Sequence, residues 1–266
     1  MKSVEGIMKW TSSLLLGAAV LLWWGYVNPH ILWFQEQYQL FLCTGDYFLE
    51  RLSVPGGLAD YSGEFITQFF YYPWIGAALL ALLFVALQGA SWIACGSRSY
   101  RIYAVSFLPP ILLLAFMGDE NLMLSFGVAA CLALAMVALM NRLGKSVIGM
   151  YADLLLIPVL YWLIGPMVWM YVCLRALTYF HKWWALVVAL VLLATQLAVS
   201  ATLLQQWPLE NSFLGVTYYR IPYMLPFVLW LWPLLTIFLI GLTYLPNYQK
   251  MPSNRIAGSL ALAAVA

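Results

Sequence analysis

The chain has 266 residues, of which 65% are hydrophobic and only 8% charged, with a mean hydropathy of +0.89. A soluble domain carries roughly 25% charged residues, so a surface this apolar excludes water as the natural solvent and points to a lipid bilayer. The formal charge of +2 comes from cations dispersed at helix ends and forms no patch for nucleic acid.

Thirteen Trp and seventeen Tyr suit a protein with many membrane–water interfaces. The four cysteines lie far apart without a CxxC pair, which argues against a disulfide framework and against a thiolate metal site.

At the N-terminus, Lys2 and Lys9 precede an apolar run beginning at Trp10. No small-residue cleavage site followed by a soluble domain appears, so the run reads as a retained helix. A spanning helix needs about 20 apolar residues. Candidate runs cover 10–33, 74–95, 102–117, 121–140, 147–164, 167–180, 183–204 and 222–244. The expected fold is an all-α polytopic transmembrane bundle of about eight spans in a single domain, 1–266. A ninth run, 256–266, is too short to cross, and the chain reads as an N-terminal fragment of a longer product. Pro109-Pro110 falls inside the third run and predicts a kink. Gly165-Pro166 supplies the turn between two short crossings.

Charges alternate between the connections. Ten of the twelve Lys and Arg fall on one side of the ladder and eight of the ten Asp and Glu on the other. The positive-inside bias puts the N-terminus in the cytoplasm, with the acidic connections outside. Two charges lie within apolar runs. Asp153 and Arg175 flank the Gly165-Pro166 turn at similar depth, and an isolated mid-bilayer charge costs roughly 2.5–3.5 kcal/mol, which favours an intramembrane ion pair. Arg175 snorkelling to the interface, with Asp153 capping a helix, is the equal alternative.

The long external connection, 35–73, is rich in structure signals. Thr44-Gly45-Asp46 predicts a helix start and Pro55-Gly56-Gly57 its stop. Asp60 or Ser62 is the expected cap of a second short helix. Its Phe65, Phe69 and Tyr72 recur at helical spacing, as in a helix lying on the membrane or packed on the spans. The loop carries Glu36, Asp46, Glu50, Asp60 and Glu64, and a later turn carries Asp119 and Glu120. Carboxylates brought together there would suit Mg²⁺ or Mn²⁺, or supply a general base. The same residues also follow from ordinary topology and helix capping. No P-loop, GxSxG, HExxH or EF-hand spacing occurs.

Glu36-Gln37-Tyr38-Gln39, Asp46-Tyr47-Phe48, Pro55-Gly56-Gly57-Leu58 and Gln68-Phe69-Phe70 before a Gly76-Ala77 helix resemble an uncharacterised bacterial multi-spanning membrane family (domain of unknown function 6057). The resemblance covers most of the chain and implies a product about twice as long, with further spans. The layout also resembles the GT-C integral-membrane glycosyltransferases, although a clean Asp-x-Asp motif is missing. That resemblance implies transfer of a sugar from a polyprenyl-phosphate donor at the external face. Asp46 or Glu36 would be the base, Asp119 and Glu120 would hold a cation or orient the donor phosphate, and Arg220 would bind that phosphate. The alternative is a non-enzymatic scaffold or a small-solute transporter.

Overall fold

The computed structural model describes residues 2–96, 100–142, 147–179, 182–205, 208–221 and 226–244, with the side chains of 2–5, 100, 101, 147 and 182 excepted. The expected ninth run lies outside the described residues. So do Arg98, Lys145, Lys250 and Arg255 of the basic connections.

The first helix, α1 (Lys2–Leu22), continues through a π-helical turn, Trp23–Val27, into α2 (Pro29–Gln37). Pro29 opens α2, where its missing N–H is no loss. The long connection after α2 folds as α3 (Gly45–Leu52) and α4 (Gly57–Thr67), followed by a 3-10 turn, Gln68–Tyr71. Thr44 caps α3, its hydroxyl accepting the Tyr47 N–H at 3.3 Å. Then come α5 (Pro73–Ala94), α6 (Tyr100–Val105), α7 (Leu108–Phe116), α8 (Leu124–Arg142) and α9 (Val147–Ile164). A 3-10 turn, Gly165–Met167, leads into α10 (Val168–Ala176), and α11 (Lys182–Thr202), α12 (Leu209–Leu214) and α13 (Val228–Thr243) follow. No strand occurs among the described residues beyond one isolated bridge, Leu122 with Tyr219.

Among the described residues, five helical units are long and apolar enough to cross a membrane: Gly6–Val27, Pro73–Ala94, Leu124–Arg142, Ile148–Ala176 and Trp183–Thr202. Ile102–Phe116 and Val228–Thr243 are apolar but shorter. The Ile148–Ala176 unit is folded back on itself at Gly165, since Asp153 and Arg175 touch across it. Straight helix between them would hold them roughly 33 Å apart.

At the centre lie α5 and α8, packed on each other. Gly127, Ala129, Ala130 and Ala133 are buried on α8, and such small residues let helix backbones approach without large side chains between them. By contrast, among the long helices α1 packs mainly on α5 and leaves most of its surface uncovered.

Pro109 and Pro110 do not kink a continuous helix. They occupy the first turn of α7, and the segment breaks at Ser106-Phe107. A first-turn proline lacks an N–H that would be unpaired anyway, so a break costs less here than an interior kink.

At one end α2–α4 meet the 119–123, 164–168 and 208–221 segments. Gly56 N–H donates to the Trp162 carbonyl (2.9 Å), and Trp162 Nε1 donates to the Leu52 carbonyl (2.7 Å). Gly63 lies directly on the α8 start, where a Cβ would stand 2.7 Å from Ser125 N. Buried Tyr218 locks this end. Its hydroxyl donates to the Ile164 carbonyl and accepts from Met167 N–H at 3.3 Å. Gly215, at φ +96°, lets the chain pass that ring, since a Cβ would come within 2.4 Å of Tyr218 Cδ2.

Candidate functional site

The densest polar cluster at this end is built by α3 and α4. Tyr47 and Arg51 are one turn apart on α3, as are Asp60 and Glu64 on α4, and each pair projects from one helix face. The buried face of α4 otherwise consists of small residues, Gly57, Ala59 and Gly63 with Thr67, which seat the helix against α8 and α9. Asp60 and Glu64 are each only 5% exposed. Asp60 is therefore not a helix cap; Gly56, at φ +90°, occupies that position. Of the expected aromatic stripe, Phe65 and Tyr72 are exposed and Phe65 clusters with Phe41 and Phe69, whereas neighbouring Phe70 is fully buried.

Arg51 binds Glu64 through two atoms, Nη2 to Oε1 at 2.7 Å and Nε to Oε2 at 3.0 Å, with Asp60 Oδ2 3.8 Å from Nη1. The Tyr47 hydroxyl lies 2.5 Å from Glu64 Oε2 and accepts from Arg51 Nη2 at 2.8 Å. One cation thus serves two buried carboxyls. Burial, reinforced by the Glu64 charge and opposed by Arg51, pushes the Asp60 carboxyl up to about 7. Burial also raises Glu64, against its bonds to Tyr47 and Arg51, and burial with the Glu64 bond pushes Tyr47 up to about 12. The group able to change protonation near neutrality is Asp60.

The site residues expected from the sequence lie elsewhere. Asp46 is exposed in the first turn of α3, Glu36 is half-buried in α2, and Glu120 is exposed. Asp119 is held locally, its Oδ1 accepting from Asn121 N–H at 3.0 Å and its Oδ2 from the Tyr219 hydroxyl at 3.1 Å. No hydrogen bond or ion pair joins Asp46 or Glu36 to Asp119 or Glu120. The described residues contain no group of three or more His, Cys, Asp or Glu able to hold a metal ion. Arg220 is exposed, with its guanidinium 3.5 Å above the Tyr38 ring.

Asp153 and Arg175 meet at the opposite end. Arg175 Nη2 is 2.7 Å and Nε 3.1 Å from Asp153 Oδ2. The carboxylate also accepts from the hydroxyls of Tyr171 and, at 3.0 Å, Tyr179. Arg175 Nη1 donates to Asn141 Oδ1 (2.9 Å), and Asn141 donates onward to the Tyr244 hydroxyl (3.1 Å). Arg175 is thus buried among α8, α9 and α13 and does not snorkel.

Between α10, α12 and α13 runs an almost wholly apolar groove of about 230 Å³, whose walls include Pro166, Met170, Tyr218, Trp230 and Pro233.

Sequence reasoning named the loop carboxylates but passed over Tyr47, Arg51 and Glu64 as a unit. The available signal was the pairing of two i, i+4 spacings, Tyr47/Arg51 and Asp60/Glu64, around the one cation in the loop.

These features define a helical protein of membrane type, with an ordered cap on one end and a buried ion pair towards the other. The chain belongs to a family of unknown function, DUF6057, whose model matches residues 6–262. No curated protein and no solved structure matches it.

Proposed function

We propose that this chain is a multi-pass protein of the bacterial inner membrane, N-terminus in the cytoplasm, that crosses about eight times in one domain. Its role in this reading is that of a non-enzymatic scaffold holding an ordered acidic cap at the external face. One observation carries the reading: the two cations in the described polar clusters are each bound by a buried carboxylate, and the acidic residues expected to form a site stand outside those clusters. Arg51 is bound by Glu64 and Arg175 by Asp153, whereas Asp46 and Glu120 are exposed and form no ion pair among the described residues. A transporter is less well supported. Tyr161, two turns from Asp153 on the same face of α9, is separated from it by fully buried Ile157, an apolar layer between the two polar patches.

The test is single alanine replacement of Glu36, Asp46, Asp119 and Glu120, scored for membrane abundance and for complementation of a strain lacking the gene. Normal complementation by all four is expected. Loss of complementation at normal abundance in any of them overturns the scaffold reading.

A second reading, glycosyl transfer from a polyprenyl-phosphate sugar, keeps two supports. Asp60 titrates near neutrality, as a general base requires, and the apolar groove has the character of a prenyl-chain site. In that reading the base is Asp60, with no metal assigned. Asp60→Asn would then abolish sugar transfer to an acceptor in membranes of normal protein content, while full transfer would exclude it.

A further inference from the structure

At the end opposite the cap, α1, α5 and α6 enclose a pocket of about 310 Å³. We propose that it binds the headgroup of an anionic, hydroxyl-bearing phospholipid of the phosphatidylglycerol type. Lys9 supplies the charge. It lies in the first turn of the Gly6–Val27 span, at the level where a spanning helix meets the headgroups. Its ammonium rests 4.7 Å from the centre of the Trp92 ring and 5.6 Å from that of Tyr103. Those faces hold the cation in place without neutralising it. Among the described side chains no carboxylate pairs with Lys9. A half-buried cation beside interfacial aromatics, between two membrane helices, suits a lipid phosphate.

The pocket's polar lining selects the rest of the headgroup. The Ser13 hydroxyl is 2.8 Å from Gln88 Oε1 and 2.7 Å from the Tyr103 hydroxyl. Tyr103 donates its own proton to the Lys9 carbonyl at 2.6 Å, and Gln88 Nε2 donates to Ser106 Oγ. The Ser13 and Tyr103 hydroxyls and the Gln88 amide line the pocket beside Lys9, and such groups can exchange hydrogen bonds with a headgroup hydroxyl while the phosphate meets Lys9. Phosphatidylcholine offers no such hydroxyl, and its trimethylammonium would face Lys9. Access is open, because among the long helices α1 packs mainly against α5, and a Cβ on Gly89 meets nothing within 4 Å. The acyl chains therefore lie along the exposed side of α1.

The full chain, purified in mild detergent, is titrated with phosphatidylglycerol or phosphatidylcholine, and bound lipid is counted by native mass spectrometry. Wild type should retain phosphatidylglycerol preferentially. Lys9→Gln should weaken that retention about five-fold, the worth of one interfacial cation, while Lys9→Arg keeps it. Gly89→Leu, which fills the pocket, should lose it with Lys9 intact. Equal retention of the two lipids by wild type, or unchanged retention in both Lys9→Gln and Gly89→Leu, overturns the proposal. Displacement of the lipid by millimolar inorganic phosphate also overturns it, because the site would then be one for free phosphate.

Discussion

Replacing Arg175 with methionine removes the guanidinium from the buried pair and keeps most of the stem. Asp153, fully buried, would retain only the Tyr171 and Tyr179 hydroxyls, and Asn141 Oδ1 would lose its donor. Breaking one side of a buried pair costs about 3–5 kcal/mol. The two remaining hydroxyl donors place the expected loss at the lower end, about 3 kcal/mol. For a chain of this size that corresponds to a fall in apparent melting temperature on the order of 10 °C. Adding Asp153→Asn removes the stranded charge but leaves a carbonyl for both tyrosines, so the double variant should recover at least half of the loss. Exchanging the two charges should not recover it. An arginine at 153 would face two hydroxyls that now donate to a carboxylate, and their protons would need new acceptors in an apolar surrounding. The assay is thermal unfolding of the purified variants in one detergent. An Arg175→Met melting temperature within about 2 °C of wild type, or full recovery by the charge exchange, would refute the reasoning.

Further outcomes follow from the cap. Burial lifts Asp60 to about 7, against roughly 3.9 in an unfolded chain, so the folded protein binds this proton more tightly. The destabilisation is absent below about pH 4 and grows as pH rises through about 7; Asp60→Asn should flatten that window and gain up to about 4 kcal/mol at pH 8. Melting curves between pH 4 and 8 check this, and parallel wild-type and variant profiles would contradict it. Arg51→Gln leaves Glu64 with Tyr47 as its one remaining side-chain partner and should loosen α3 from α4, detected as faster proteolysis within residues 40–57. Gly215→Ala combines positive φ with a clash against Tyr218 and should lower stability by more than about 1–3 kcal/mol, read from the melting temperature. An unchanged value there would mean that the Tyr218 lock is not rigid.

Much of the helical ladder was legible because it rests on local rules. The Thr44 cap, the Pro55-Gly56-Gly57 stop and the Gly165-Pro166 turn are each set by backbone chemistry within a few residues. Span length was less legible, since an apolar run does not reveal where its helix stops. Ile102–Phe116 is a broken, shorter element because Pro109 and Pro110 open a new helix. The site was least legible. Asp60 has a cap residue's composition, but α4 begins at Gly57, which puts Asp60 within the first turn on the buried face of the helix, beside Arg51.

This difference gives the charge ladder a physical sorting rule. An acidic residue near a helix start in an external connection is held there equally well by topology, by the helix dipole or by a site. What separates these causes is burial, because only a buried carboxyl must find a partner or change its protonation. Asp46 and Glu120 remain exposed and need neither. Glu64 and Asp153 are buried and have taken the two arginines. Asp60 is buried but shares its arginine with Glu64 at 3.8 Å, and its carboxyl is the one lifted to about 7. Asp60 is therefore the carboxyl in this cap where a neutralising substitution should most clearly separate a structural role from a chemical one.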